Sequence, residues 1–242
     1  MWTKSLARPG AGRRDISGAV KIILFGGTGM VGQGVLRECL LDPEVTQVLS
    51  VARSSTGQKH EKLRELLHKD FTNFSAVQGE LTGYDACFFC LGVSSAGMNE
   101  ADYTRVTYDY TLAAAKVLAK MKPPMTFIYV SGAGTDSSEK GRSMWARVKG
   151  RTENALLALP FKAKFMFRPG IIQPMHGIQS RTKWYRAFYA VATPLFPVLD
   201  SLFPHAITTT ERVGRAMLVA ARRGSNKTVL ENADINALAA GR

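Results

Sequence analysis

Four glycines fall within seven positions in the run Gly26, Gly27, Thr28, Gly29, Met30, Val31 and Gly32, directly after a β-branched and aromatic stretch at residues 19–25. The pattern fits G-x-x-G-x-x-G from Gly26 and G-x-G-x-x-G from Gly27. Glycine lets a backbone turn sharply and approach a bulky anion closely. A helix opening at Met30 would turn its unpaired N–H groups and positive dipole end toward that anion. Gly32, in the first helical turns, would let the helix pack close to the preceding strand. These are the requirements of a pyrophosphate-binding turn. A tight strand-to-helix turn without a ligand is the alternative.

A second set of residues bears on which dinucleotide would sit there. About 20 residues further on, where the fingerprint requires a second strand, residues 47–51 form an apolar run that ends in Ala52, Arg53, Ser54 and Ser55. An acid at that place bonds the ribose hydroxyls of NAD(H) and repels a 2′-phosphate. Arg53 can instead make a charge-assisted bond to a phosphate, and the serines can add donors. NADP(H) is therefore expected in preference to NAD(H), the alternative being an ordinary surface arginine.

The elements that must position these groups alternate short apolar runs with stretches of helical period, the pattern of βα units and a parallel sheet. Strands are expected at 19–25, 47–51, a stretch ending at 66–70, 86–91, 126–130, 163–168 and near 229–230. Helices are expected at 30–41, 103–121, 144–159 and 211–222, with a helical tail. The fold class is thus α/β: a doubly wound, Rossmann-type parallel sheet with helices on both faces. Residues 19–242 read as one such domain, with 171–210 as a lid or substrate region and 1–18 as a short disordered extension. Lys4, Arg8, Arg13 and Arg14 precede the first acid, Asp15, so an organelle presequence is the other reading of that extension.

Composition narrows the classes further. The chain has 242 residues and a formal net charge of +13. Between Lys140 and Arg186 stand eleven Lys and Arg against one acid, Glu153. Such a face suits a phosphorylated cofactor, an anionic substrate or an anionic membrane surface, or is merely solvated. No helix-turn-helix, zinc-finger or RNP motif is present, so nucleic acid is not an expected partner. No 18-residue apolar run suggests a membrane-crossing helix. Cys87 and Cys90 form a C-x-x-C, but an offset of three on a strand sends the thiols to opposite faces. With Cys39 they read as buried, reduced cysteines, and the cytoplasm is the expected location. No metal-ligand spacing stands out, and no metal site is expected.

Taken together, residues 21–231 resemble the short-chain dehydrogenase/reductase superfamily in its atypical, epimerase-like branch. The glycine run is similar to that branch's opening loop. Asp70 and Phe71 resemble its acidic segment after the third strand, which implies an adenine contact. Cys90, Leu91 and Gly92 resemble the fourth-strand loop that lines the cofactor. Arg168, Pro169 and Gly170 resemble the segment closing over the nicotinamide end. Arg147, Val148, Lys149 and Gly150 match the segment that carries the family's Tyr-x-x-x-Lys pair, whose spacing of four stacks both side chains on one helical face. The resemblance implies that Lys149 contacts the nicotinamide ribose and takes part in catalysis, with Ser131 as a further catalytic candidate.

The departures are as informative. Trp145 stands four residues before Lys149, and an indole N–H donates a hydrogen bond but exchanges no proton at useful pH. Gly132 follows Ser131 where the family commonly has a serine. The expected function is an NADP(H)-binding oxidoreductase of a small substrate with a degenerate acid/base site, or else a non-catalytic NADP(H)-binding sensor, assembly or interaction protein. An epimerase with tightly held cofactor meets the same obstacle at Trp145. The C-terminal third offers His176, Arg181, Lys183, Trp184, Tyr185 and Tyr189 as pocket residues. The apolar, aromatic stretch 184–204 could be a lid, a protein interface or a peripheral membrane contact.

Overall fold

The computed structural model describes residues 18–178 and 206–241. Residues 1–17 of the expected extension and the stretch 184–204, with Arg181, Lys183, Trp184, Tyr185 and Tyr189, lie outside the described residues.

Strand β1 (Val20–Phe25) is the centre of the molecule. Its side chains alternate, so Ile22 and Leu24 enter one apolar layer and Ile23 and Phe25 the other. It is followed by α1 (Met30–Leu41), β2 (Val45–Ala52), β3 (Leu63–Leu67) and β4 (Ala86–Phe89). Next come α2 (Glu100–Thr104), a π-helical turn at Arg105–Asp109, α3 (Tyr110–Leu118), β5 (Thr126–Val130), α4 (Met144–Leu157) and β6 (Ala163–Arg168). The remainder is β7 (Ile171–Gln173), β8 (Ile207–Thr209), α5 (Thr210–Arg223), β9 (Val229–Glu231) and α6 (Asn232–Ala239).

Seven strands form one sheet in the order β3-β2-β1-β4-β5-β6-β9, with every pairing parallel. Parallel neighbours need crossovers; most here carry helices, which cover both faces, while β2 and β3 are joined by the helix-free segment 53–62. Val35, Leu36 and Cys39 of α1 share one layer with Val213, Ala216 and Met217 of α5 and Ile235 of α6. Ala114, Ala115 and Leu118 of α3 share the other with Leu156 of α4 and with Phe71 and Phe74. The sheet grows outward from β1 in one direction and from β4 in the other. The crevice between the C-terminal ends of β1 and β4 is therefore the topological switch point, where ligands of open α/β sheets bind.

The doubly wound α/β architecture is thus as the sequence implies, with differences in detail. β3 stops at Leu67, short of the expected Asp70, because Leu67 pairs with the last residue of β2, Ala52, whose carbonyl takes the final bond from the His68 N–H at 2.9 Å. The helix expected from 103 begins at Glu100, where Asn99 caps it by accepting from the Asp102 N–H at 2.9 Å. It passes through the π-helical turn and ends at Leu118, not 121. Apolar spacing cannot register the extra residue that a π-turn accommodates. The short parallel pair β7–β8 was not expected. It joins the two described ends of the 171–210 region. Cys87 and Cys90 do enter opposite layers, and all three cysteines are free.

Candidate dinucleotide and substrate site

The loop after β1 is closed by its own backbone. Gly26, at φ +81°, lies so near the chain leaving β4 that an added Cβ would come within 2.6 Å of the Cys90 carbonyl carbon and the Leu91 nitrogen. A Cβ on Gly32 would meet the Gly26 carbonyl oxygen at 2.0 Å. The Gly29 N–H donates to that same oxygen at 2.9 Å, and Gln33 Nε2 donates to the Thr28 carbonyl at 3.1 Å. Gly29 caps α1 with no side-chain bond, and the first turn carries no acid. The early N–H groups of α1 at Met30, Val31 and Gly32 thus face the switch point with a positive helix end and no competing carboxylate. The cradle fits the pyrophosphate of a dinucleotide.

The loop after β2 lies against this cradle. Thr56 Cγ2 would stand 3.6 Å from a Cβ on Gly27, and the buried, unpartnered Ser50 hydroxyl 2.9 Å from it. Arg53 and Ser54 are exposed at the strand end. Ser55, expected to offer a donor, gives its hydroxyl to Glu65 of β3 at 2.6 Å, and the Thr56 N–H and hydroxyl go to the same carboxylate at 2.6 and 2.7 Å. These bonds hold the Glu65 carboxyl below its ordinary pKa, against the desolvation that raises it. Glu65 thus fixes the turn that carries Arg53 and leaves Ser54 as the open hydroxyl. The acid was passed over because it lies on an edge strand outside the glycine and serine motifs.

After β3, Asp70 accepts from the Thr72 hydroxyl and N–H, at 2.5 and 2.9 Å, and these bonds lower its pKa. The Phe71 ring is buried, edge-on to Phe25 and Phe74, so only its backbone is open to a ligand. Leu91 is half-buried and Gly92 exposed at the mouth of the crevice.

The other end of the site is built by β5, α4 and β6. The buried Ser131 donates its hydroxyl to Glu153 at 2.5 Å, and its carbonyl accepts from Lys149 Nζ. Glu153, one helical turn beyond Lys149, is 1% exposed and takes the Arg168 guanidinium at 2.5 and 3.1 Å. Arg168 also reaches Ser137 at 2.6 Å and Glu231 at 3.3 Å. Arg168 is thereby committed to an internal ion-pair network, and its neighbour Pro169 is the member of the expected pair that borders open space. The Ser131 hydroxyl is likewise turned to Glu153. Glu153 was visible in the sequence as the one acid in a basic stretch, and its role was not drawn from that.

Burial lowers the Lys149 pKa to about 8, with Glu153 partly opposing the shift. Gly132, at φ +153°, leaves room above the amine: an added Cβ would stand 3.9 Å from Nζ. Trp145 lies on the same side, its six-membered ring against Gly134. A cleft of about 730 Å³ opens beside Trp145 between the C-terminal ends of β5, β6 and β9.

His176 is placed elsewhere. Its Nε2 meets Glu211 at 2.7 Å, beside Glu38 and Arg215, where α1 meets α5. The His176, Glu38 and Glu211 ligand atoms lie within 4.8 Å of one another. The carboxylates already hold guanidinium groups, Arg37 and Arg215 on Glu38 and Arg215 on Glu211, which supply the positive charge a cation would bring.

Sheet order, glycine cradle and the Lys149 helix together define a Rossmann-fold protein of the atypical short-chain dehydrogenase/reductase kind. Residues 22–142 match the model of the NAD dependent epimerase/dehydratase family, and the chain belongs to that family. It is 26% identical to the protein fmp52, mitochondrial, of Emericella nidulans, over 86% of this chain and 90% of that one. It is 27% identical to protein HTATIP2 of Rattus norvegicus, over 62% of each. Its fold is similar to that of the Bordetella bronchiseptica enzyme WbmF in complex with NAD+ and UDP, with a TM-score of 0.63, 17% identity, and coverage of 91% of this chain and 76% of that one. The expectation of a cytoplasmic protein is corrected by its relatives: fungal ones from five genera are named as mitochondrial. Buried reduced cysteines distinguish a reducing from an oxidising environment, and they do not distinguish cytosol from organelle matrix. No helix among the described residues is long and apolar enough to cross a membrane.

Proposed function

We propose that this chain binds NADP(H) in preference to NAD(H) and acts as an oxidoreductase on a small carbonyl or hydroxyl compound, with Lys149 as its proton-exchanging group. The observation that carries this reading is the cradle itself: Gly26 and Gly32 have no room for a side chain, no acid stands at the helix start, and Arg53 occupies the end of β2. The N–H groups of Met30, Val31 and Gly32 would hold the pyrophosphate, Arg53 and Ser54 the 2′-phosphate, Asp70 the adenine, and Lys149 the nicotinamide ribose. Bound there in its reduced form, the dinucleotide supplies a hydride equivalent, and the protein must supply the proton.

Among the described residues, Lys149 is the group on the Trp145 side that can do so near neutral pH. Its amine is protonated below its lowered pKa of about 8 and neutral above it. A reduction that needs the ammonium therefore runs at a constant rate below pH 8 and falls about tenfold per unit above it. The profile is measured as single-turnover NADPH oxidation with a carbonyl panel, and Lys149→Met should abolish the rate at every pH. The fluorescence titration of the wild-type protein with NADPH and NADH tests the cofactor half: equal affinities would overturn the role given to Arg53.

Two observations favour a second reading, a protein that holds NADP(H) without turnover. Trp145 has no exchangeable proton, and the Ser131 hydroxyl is engaged by Glu153. On that reading wild type binds NADPH and turns over nothing, while Trp145→Tyr gains a rate about 10- to 100-fold over background, the size expected of one partly positioned acid. A wild type already active, with no gain in the variant, removes this reading. Residence in mitochondria, as named for the fungal relatives, belongs to either version; a fluorescent fusion of the full chain would show it.

A further inference from the structure

The cleft beside Trp145 identifies the kind of molecule that would face the nicotinamide. Its described walls are Gly132, Ala133, Trp145, Pro169, Gly170 and Ile171, together with Ala206 and the start of α6 at Glu231, Asn232 and Ala233. Its volume of about 730 Å³ lies within the range of small-molecule sites, roughly 300–1,000 Å³. Gly132 connects it to Lys149, because the space above that glycine is the space beside Nζ.

Many of the polar groups of these walls are already paired. The Ala133 N–H donates to the Pro169 carbonyl at 2.8 Å, and the Ile171 N–H to the Ala206 carbonyl at 3.0 Å. The Gly170 N–H goes to Asn232 Oδ1 at 2.8 Å, and Asn232 Nδ2 to the Ile207 carbonyl at 3.0 Å. Glu231 takes Arg168 and caps α6 in a reciprocal box with Asp234. No Lys or Arg is among the described residues that line the cleft. What remains on offer is the indole, held against Gly134, two N–H groups in the first turn of α6, at Asn232 and Ala233, that could meet a single carbonyl oxygen, and small apolar surfaces, with Ile171 48% exposed.

A nucleoside diphosphate brings a pyrophosphate and many hydroxyls, and each buried without a partner is unfavourable. A flat hydrocarbon frame asks for neither, and gains by stacking on an indole. We propose that this cleft takes a planar, largely apolar carbonyl compound, such as a polycyclic ketone, stacked on Trp145, and that it does not take a nucleotide sugar. This inference deepens the oxidoreductase reading and rests on it for the relevance of the cleft to chemistry, though the binding can be measured by itself.

The test uses full-length protein carrying Trp2→Phe and Trp184→Phe, so that indole emission reports Trp145. 9-Fluorenone is titrated as the planar ketone and UDP-glucose as the nucleotide sugar, each with and without saturating NADPH. Fluorenone should quench with a micromolar Kd, and UDP-glucose should show none below about 1 mM. By calorimetry, Trp145→Ala should weaken fluorenone about tenfold, the loss expected from an aromatic face. Ala233→Phe should block it by filling the cleft, while leaving NADPH affinity as in wild type. Ala233 is exposed, so this variant keeps the fold even if Trp145→Ala does not. Absence of fluorenone binding, equal binding to the Ala233→Phe protein, or tighter binding of UDP-glucose would each overturn the proposal. Fluorenone binding without NADPH binding would leave the cleft standing and overturn the cofactor reading instead.

Discussion

The two ends of the crevice are built on opposite terms. At the β1–β2 end the chain keeps its backbone N–H groups open and has no room for side chains: Gly26 and Gly32 are pressed against Leu91 and the loop's own carbonyl. At the β5–α4–β6 end side chains fill the interior and bind each other, with Ser131, Glu153 and Arg168 forming a closed network around the Lys149 helix. One end is arranged for a ligand and the other largely for itself. Holding a dinucleotide and reacting with it are therefore separable properties of this fold, carried by different strands and different kinds of atom.

That contrast can be broken from either side. The largest effect is expected from Gly32→Ala, because a Cβ 2.0 Å from a carbonyl oxygen forces the loop open. NADPH affinity should fall at least 100-fold, or about 2.7 kcal/mol, in a calorimetric titration. If the variant binds normally, the cradle is not where the dinucleotide sits.

Glu153→Ala attacks the other end. It leaves Arg168, 12% exposed, without its principal counter-charge, and removing one partner of a buried pair costs about 3–5 kcal/mol. Urea unfolding should show the loss, toward the lower figure because Glu231 remains. NADPH affinity of the folded fraction should stay within about threefold, a change under 1 kcal/mol. A collapse of affinity equal to that of Gly32→Ala would mean that the two ends are not separable.

The smallest of the three effects sharpens the comparison within the first end. Arg53→Ala should weaken NADPH about tenfold, the worth of one exposed charge-assisted contact, and leave NADH unchanged. A loss shared by both dinucleotides would assign Arg53 to something other than the 2′-phosphate.

The difference between the ends also explains what the sequence could and could not reveal. The glycine cradle is legible because its chemistry lies in local backbone, in consecutive residues with a fixed offset to the next strand. Alternating apolar runs likewise report a parallel sheet, since each strand is buried on both faces. The network around Ser131 joins positions 131, 137, 153, 168 and 231 from separate strands and helices, and no spacing rule connects them. Arg168 carried a cofactor expectation for that reason, while the partner that claims it is one turn beyond the lysine. Glu65 escaped notice for a related cause: it acts across a strand pair, on a turn nine or ten residues behind it.

Gly132 limits how the site can be rebuilt. A serine there would give Lys149 a hydroxyl neighbour again, but the turn is set at φ +153° and pinned by the Ala133 bond to Pro169 and the Thr135 hydroxyl bond to the Gly132 carbonyl at 2.7 Å. Any L-residue would be strained there. Gly132→Ser would therefore bring a hydroxyl beside Lys149 at a cost of about 1–3 kcal/mol in the turn, and relaxing that turn is part of any redesign of the site.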